Sequence, residues 1–155
     1  MTSVESRVEF DSADKAIIRE LQVDGRMAYA KLAPLVGLSE AATRQRVNRL
    51  VERRVMEIVA VTDPAMLGLK HQSMVGINVN AHVQNIADQL AKIDAIDYLV
   101  VTAGRYDILA EVFCSDAGEF LTIVNDQIRP IEGIQHLEIL TYLDLAKQTY
   151  NWGTG

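Results

Sequence analysis

The sequence predicts an α+β fold in which a helical N-terminal part precedes a part that alternates strands and helices. Over residues 11–53, apolar side chains recur every three or four positions, the spacing of amphipathic helices. In the second half, β-branched runs alternate with amphipathic segments. The 155-residue chain is 49% hydrophobic and 23% charged, so we expect packed cores instead of disorder.

Two helices are expected before residue 37. The first begins near Asp11 or Asp14, where an acidic side chain suits the positive end of the helix dipole, and Val23–Arg26 ends it with a turn. The second covers about Ala28 to Val36.

A third helix follows after a short break. Gly37 permits a left-handed turn, Ser39 is a good N-cap, and the helix extends to about Arg53. Its inward stripe is Thr43, Val47 and Leu50. Three helices with a short turn between the last two form a helix-turn-helix. The Ile- and Val-rich stretch Met56–Thr62 is expected to add a strand, so the module is of winged type.

The second half is expected to be a ferredoxin-like βαββαβ domain. Its predicted elements are, in order, Ser73–Asn80, Val83–Ile93, Tyr98–Ala103, Asp107–Cys114, Asp116–Ile128 and Ile134–Leu143. We place the domain boundary between residues 62 and 63. Because helices cover one face of such a sheet, the apolar strand positions Val100, Ile108, Ala110 and Val112, with the last strand, predict a homodimer through the other face.

The net charge of −6 is divided unequally along the chain. Residues 1–62 hold ten Lys and Arg against nine Asp and Glu, whereas residues 63–155 hold five against twelve. Within Ser39–Arg54 there are five arginines and two glutamates. A basic stripe on a nearly neutral module can bind phosphate, so the acidic total does not exclude nucleic acid.

The outward face of the third helix carries side chains suited to DNA bases. Arginine pairs with guanine, and glutamine or asparagine with adenine, through two hydrogen bonds each. We expect phosphate contacts from the arginines of this stretch other than Arg44, although Arg46 could instead hold the helix to its neighbours; they are Arg46, Arg49, Arg53 and Arg54. The residues alone leave a solvated basic helix as an equal alternative. The candidate DNA-binding residues are Ser39, Glu40, Ala41, Ala42, Arg44, Gln45, Arg46, Asn48 and Arg49.

A second candidate site joins two strands of the second half. The backbone at Gly104 can donate N–H groups to a ligand carboxylate, Asp107 can accept from an ammonium group, and Tyr106 can form a wall. Thr102 and Arg105 complete the loop. From the residues alone a plain hairpin turn is favoured, since Gly and Asp are ordinary turn residues.

Catalytic and metal sites are not expected. The three histidines are scattered without ligand spacing, and the single cysteine, Cys114, ends an apolar strand as a small buried residue. A lone cysteine and the lack of an apolar run of membrane length favour a reducing cytoplasm and no membrane association. The tail carries Tyr150 and Trp152, which we expect to dock either on a neighbouring subunit or on their own domain.

The order and spacing of five segments resemble the Lrp/AsnC (leucine-responsive, or feast/famine) family of transcriptional regulators. The segments are DKAIIRELQVDGR at 14–26, LAPLVGLS at 32–39, RVNRL at 46–50, TAGRYDILAEV at 102–112 and IRPIEGIQHLE at 128–138. The resemblance departs at Ala28, where a capping Ser or Thr is usual, and at Arg54, where a glycine is usual. Leu137 and Ile139 stand where threonines often touch polar effectors.

The resemblance implies a regulator without a cofactor that is not an enzyme. It implies binding of double-stranded DNA by residues 1–62, and binding of an amino acid or related metabolite by residues 63–155. The effector would lie around Thr102–Asp107 at contacts between dimers, with Leu137 and Ile139 close by. Homodimers would assemble to octamers or other higher oligomers.

Two other functions are weighed against the regulator. Some proteins of this two-module architecture resemble sirohaem decarboxylases, which need cationic and His or Tyr side chains around a tetrapyrrole; the arginine cluster here lies on the third helix instead. A pure assembly module is the other alternative, and the helix-turn-helix disfavours it.

Overall fold

The computed structural model describes residues 10–149. These residues form two compact units, one made of residues 10–60 with 147–149 and the other of residues 61–146. The tail aromatics Tyr150 and Trp152 lie outside the described residues.

The first unit is built from three helices, as the sequence predicts. They are α1 (Ser12–Val23), α2 (Tyr29–Leu35) and α3 (Glu40–Glu52). The Asp11 carboxylate accepts from the backbone N–H of Asp14 at 2.8 Å, and the Ser39 hydroxyl accepts from that of Ala42 at 3.2 Å. These side-chain caps satisfy N–H groups that a helix start leaves without partners. The buried apolar core of the unit is Ile17, Leu21, Leu32, Val47 and Leu50.

A nearly buried carboxylate joins α1 to α3. Asp14 accepts from Arg46 Nη1 at 2.9 Å and from Arg49 Nη2 at 2.9 Å, and its side chain is 4% exposed. Asp11 accepts a further bond from Arg46 at 2.6 Å. Two arginines of α3 are thus held against the start of α1.

The chain after α3 differs from the prediction in two ways. Arg54 adopts the left-handed conformation (φ 55°) that a glycine usually takes, and Val55 N–H bonds to the Leu50 carbonyl at 3.0 Å. The α3 end is therefore capped without a glycine. The expected strand Met56–Thr62 is wrong: these residues belong to no strand, and Val59 is 68% exposed. A β-branched run forms a strand only where a neighbouring strand completes its hydrogen bonds.

The second unit has the predicted βαββαβ order. Its elements are β1 (His71–Val79), α4 (Val83–Leu90), β2 (Ile96–Val101), β3 (Ile108–Cys114), α5 (Ala117–Thr122), which continues as a π-helical turn over Ile123–Ile128, and β4 (Ile134–Thr141). The sheet order is β2-β3-β1-β4 and every neighbouring pair is antiparallel.

Helices cover one face of this sheet. The buried strand residues below them are Val75, Ile77, Ile108, Ala110 and Val112, which pack with Ile86, Leu90, Phe120 and Val124 among others. The expectation that Ile108, Ala110 and Val112 share an open face with Val100 is therefore wrong. Val100 pairs with Leu109, whose side chain points to the opposite face from its neighbours on β3.

The open face holds one close contact that requires a glycine. A Cβ added to Gly76 would lie 2.8 Å from the ring of Tyr106, so the ring lies directly on the β1 backbone. Around this contact the open face carries, by strand alternation, Met74, Leu109, Glu111, Phe113, Tyr98, Val100, Glu138 and Leu140.

Removal of the Asp14 carboxylate is expected to destabilise the first unit. In Asp14→Ala, Arg46 and Arg49 lose their shared acceptor, and we expect a loss of about 1.5–3 kcal/mol, the range for hydrogen bonds to charged groups. Urea unfolding followed by circular dichroism measures it. Glu57→Ala, the same change of charge at an exposed position, should stay within about 0.5 kcal/mol of the parent. Equal unfolding curves for the two variants would show that the Asp14 cluster contributes nothing.

Candidate nucleic-acid interface

The outward face of α3 forms one open groove. It is lined by Glu40, Ala41, Arg44, Gln45 and Asn48. The groove follows from helical geometry, because the opposite stripe of Thr43, Val47 and Leu50 is buried. Polar side chains with paired donors and acceptors therefore stand together on this face, with the small Ala41, which allows close approach.

Arg44 is held in place on this face. Its Nη2 lies 2.9 Å from Glu40 Oε1, one helical turn earlier, and its guanidinium carbon lies 5.4 Å from the centre of the Tyr29 ring. The Arg44 side chain remains 58% exposed and that of Glu40 50% exposed. Tyr29, at the start of α2, is a residue of this site that the sequence did not indicate.

Arg46 and Arg49 lie on another side of α3. The backbone N–H of Asp14 and the Arg46 guanidinium lower the pKa of Asp11, and the Asp11 and Asp14 carboxylates raise the pKa of Arg46. The structure thus gives Arg46 the anchoring role that the sequence allowed. Arg49, expected at phosphates, is also paired with Asp14, although it remains 44% exposed. Of the predicted DNA-binding residues, Ser39 acts as the α3 cap, and Ala42, Arg46 and Arg49 line an adjacent depression.

The loop between β2 and β3 is closed by its own hydrogen bonds. Thr102 N–H donates to the Asp107 carbonyl at 2.8 Å, and the Thr102 hydroxyl donates to the Tyr106 carbonyl at 2.6 Å. One carboxylate oxygen of Asp107 accepts from Val79 N–H at 2.9 Å, while Gly104 has a φ of 156°. Asp107 therefore has the structural role of a turn residue, because its Oδ2 atom holds the loop to the end of β1.

Glu138 joins this loop to β4. It accepts from the Tyr106 hydroxyl and pairs with Arg105 at 2.8 Å, while the Arg105 guanidinium carbon lies 5.4 Å from the centre of the Tyr106 ring. The hydrogen bond to Glu138 raises the pKa of Tyr106. The sequence analysis assigned Leu137 and Ile139, the neighbours of Glu138, to this site. Because neighbouring residues of a strand point to opposite faces, strand alternation was the signal that could have identified Glu138 instead.

Leu137 and Ile139 do not lie with Arg105 and Tyr106. Leu137 pairs with Ile77 and Ile139 with Val75, so both side chains are on the helix-covered face, and Leu137 packs against the core. The expectation that they line the loop is not met within one chain, because neighbouring residues of a strand point to opposite faces.

The remaining candidate groups indicate no further chemistry. Burial raises the pKa of the Cys114 thiol, which is 1% exposed, as expected for a small core residue. Among residues 10–149, no three His, Cys, Asp or Glu side chains are placed to hold a metal ion. Over the same residues no helix is long and apolar enough to cross a membrane.

Comparison with known proteins accounts for both units. Residues 10–51 match the AsnC-type helix-turn-helix domain, and residues 69–155 match a C-terminal dimeric alpha+beta barrel domain of AsnC-type regulators. An HTH-type transcriptional regulator of Pyrococcus horikoshii is 31% identical over 146 residues, which cover 93% of this chain and 92% of the relative.

Solved structures share the fold. AsnC of Escherichia coli superposes with a TM-score of 0.84 at 23% identity, over 92% of this chain and 98% of that one. A transcriptional regulator of Neisseria meningitidis, in complex with L-methionine, gives 0.83 at 23% identity over 91% and 94%. Together with the two domain matches, the relative from Pyrococcus and the helix-turn-helix geometry, these likenesses show that the chain belongs to the AsnC/Lrp family of DNA-binding transcriptional regulators.

Proposed function

We propose that the protein is a sequence-specific regulator that places the outer face of α3 in the major groove of double-stranded DNA. The observation that carries this proposal is the polar groove of Glu40, Ala41, Arg44, Gln45 and Asn48. Recognition helices contact base edges with residues of their N-terminal half, and these five belong to that half or its border. Residues 1–62 are then the DNA-binding domain and residues 63–155 the effector-binding and oligomerisation domain.

Charge supports DNA as the partner of the first domain. Arg53 and Arg54 follow α3 and are exposed, so they can neutralise phosphates beside the helix. Phosphate contacts position a protein on the duplex, whereas base contacts specify the sequence. We thus assign anchoring to Arg46, phosphate contacts to Arg53 and Arg54, and base reading to Arg44.

The second domain forms a homodimer through the open face of its sheet. This face carries Tyr98, 55% exposed, and Leu140, 46% exposed, beside Met74 and Phe113. One sheet face is covered by helices, and an apolar face left open needs a partner surface. Dimers are expected to assemble further, to octamers or other higher oligomers.

An amino acid or related metabolite is the proposed effector, bound around Thr102–Asp107. The Neisseria regulator of the same fold was crystallised with L-methionine, which supports this class of ligand. A ligand at contacts between dimers shifts the assembly equilibrium by its differential affinity for the two assemblies, and assembly sets the spacing of the DNA-binding domains. The decarboxylase alternative is not favoured, since the Pyrococcus relative is named as a transcriptional regulator.

DNA recognition is tested with Gln45→Ala. Full-length protein first selects duplexes from a random library, and dissociation constants are then measured at one fixed salt concentration. The variant should lose about 1–3 kcal/mol of discrimination at one base pair and keep its affinity for unrelated DNA. Lys15→Ala, an exposed change on α1, should keep both. Unchanged discrimination in Gln45→Ala would place base reading elsewhere than in this groove.

Dimer formation is tested with Leu140→Asp. A charge placed on the open sheet face would be buried in the dimer, and we expect the dimer to dissociate about 100-fold more readily, or ~3 kcal/mol. Light scattering across a dilution series measures this change. Leu121→Asp, an exposed position on α5, serves as the matched control and should leave the dimer intact. A parent protein that is monomeric at micromolar concentration would refute the proposed dimer.

The effector site is tested with Asp107→Asn. The amide oxygen can still accept from Val79 N–H, so the turn is kept while the charge that would pair with an ammonium group is removed. Calorimetric titration with L-methionine and a panel of other amino acids should show binding about 10- to 150-fold weaker than in the parent. Asp88→Asn, on α4, controls for the change in charge. If Asp107→Asn binds as tightly as the parent, the ammonium group is held elsewhere.

A further inference from the structure

Arg44 has two contacts with other side chains although it lies on the surface of α3. Its Nη2 contacts Glu40 at 2.9 Å, and the Tyr29 ring lies 5.4 Å from its guanidinium carbon. We propose that Glu40 and Tyr29 are positioning residues that hold the Arg44 guanidinium for a guanine edge in the major groove. This inference rests on the proposed DNA-binding function of the α3 groove, and it assigns Tyr29 of α2 to sequence recognition.

The contacts leave the guanidinium free to bind a base. A guanidinium has five N–H donors in a planar fork, and the bond to Glu40 uses one of them. Guanine needs two donors, for its O6 and N7 atoms. The arginine can therefore keep its partners on the protein while it contacts the base.

Prior orientation lowers the entropic cost of the base contact. A free arginine side chain loses rotamer entropy when it is fixed. Glu40 contacts the end of the side chain from the same helix, and the Tyr29 ring contacts the guanidinium from another helix. Because Glu40 belongs to α3 and Tyr29 to α2, their two contacts together restrict the orientation of the Arg44 guanidinium more than either contact alone.

Glu40 lies in the first turn of α3, where a carboxylate suits the helix dipole, and it also contacts Arg44. The start of α3 is capped by the Ser39 hydroxyl, and the Thr43 hydroxyl bonds to the Ser39 carbonyl. A carboxylate facing DNA would repel phosphates, but the ion pair with Arg44 neutralises it. The Glu40–Arg44 pair therefore adds little to binding of any sequence, and its effect falls on discrimination between sequences.

The test measures a ratio of dissociation constants at fixed salt. The probe is the duplex most enriched from a random library by full-length protein, together with its variants at each G·C pair. Arg44→Ala identifies the guanine that Arg44 contacts. At that G·C pair the parent protein should prefer the selected duplex over its variants by about 5- to 150-fold, whereas Arg44→Ala should show almost no preference.

Glu40→Gln and Tyr29→Leu should each lower the ratio at that base pair by about 2- to 5-fold, as expected for an exposed ion pair and a cation–π contact. Neither should lower it further in the Arg44→Ala background. Tyr29→Phe keeps the aromatic face, and Glu52→Gln makes the same change of charge at the other end of α3, so both should keep the parent ratio. Tyr29 also packs on the helical core, and leucine preserves that packing; circular dichroism checks the fold.

Three outcomes overturn the inference. The first is that Glu40→Gln and Tyr29→Leu both keep the discrimination ratio of the parent protein. The second is that these substitutions lower the ratio by the same factor when Arg44 is already alanine, which would show a general structural effect. The third is Arg44→Ala that keeps discrimination at every base pair. If instead the parent protein selects no sequence at all, the proposed function itself fails, and this result differs from the other three.

Discussion

The buried Asp14 carboxylate is the interaction on which the arrangement of the first domain depends. It holds Arg46 and Arg49 toward α1, so the α3 groove is left with Arg44 as its basic residue. A carboxylate that is nearly excluded from water must have strong partners, because an unpaired buried charge is costly. The same interaction that holds α3 against α1 thereby separates Arg46 and Arg49 from the arginine of the groove.

A comparable constraint acts in the second domain. The Tyr106 ring lies on the backbone of Gly76, and Glu138 of β4 holds both Tyr106 and Arg105. The loop between β2 and β3 is therefore attached to two strands that are distant from it in sequence. A ligand that enters here would have to replace or extend contacts the chain already makes, which is a physical route from binding to a change in assembly.

Much of the fold was predictable because local chemistry and periodicity agree. Ser39 caps a helix, Gly37 makes the left-handed turn before it, and alternating apolar residues form β3 as expected. The prediction failed at Met56–Thr62, where strand propensity had no pairing partner, and at Ile108, Ala110 and Val112, which lie on the helix-covered face of the sheet. Strand formation and the facing of side chains depend on neighbours that a local pattern does not contain.

The sequence by itself determined the two modules, the helix that carries the polar groove and the residue types in it, since helical spacing alone separates Arg44 and Gln45 from the buried stripe. Only the tertiary structure decided the partners of those residues. Tyr29 reaches Arg44 from another helix, Asp14 pairs with arginines more than thirty positions away, and Glu138 replaces its neighbours Leu137 and Ile139 at the loop. Such contacts follow from the packing of distant elements, because side-chain chemistry fixes what a residue can bind and the fold fixes what lies within its reach.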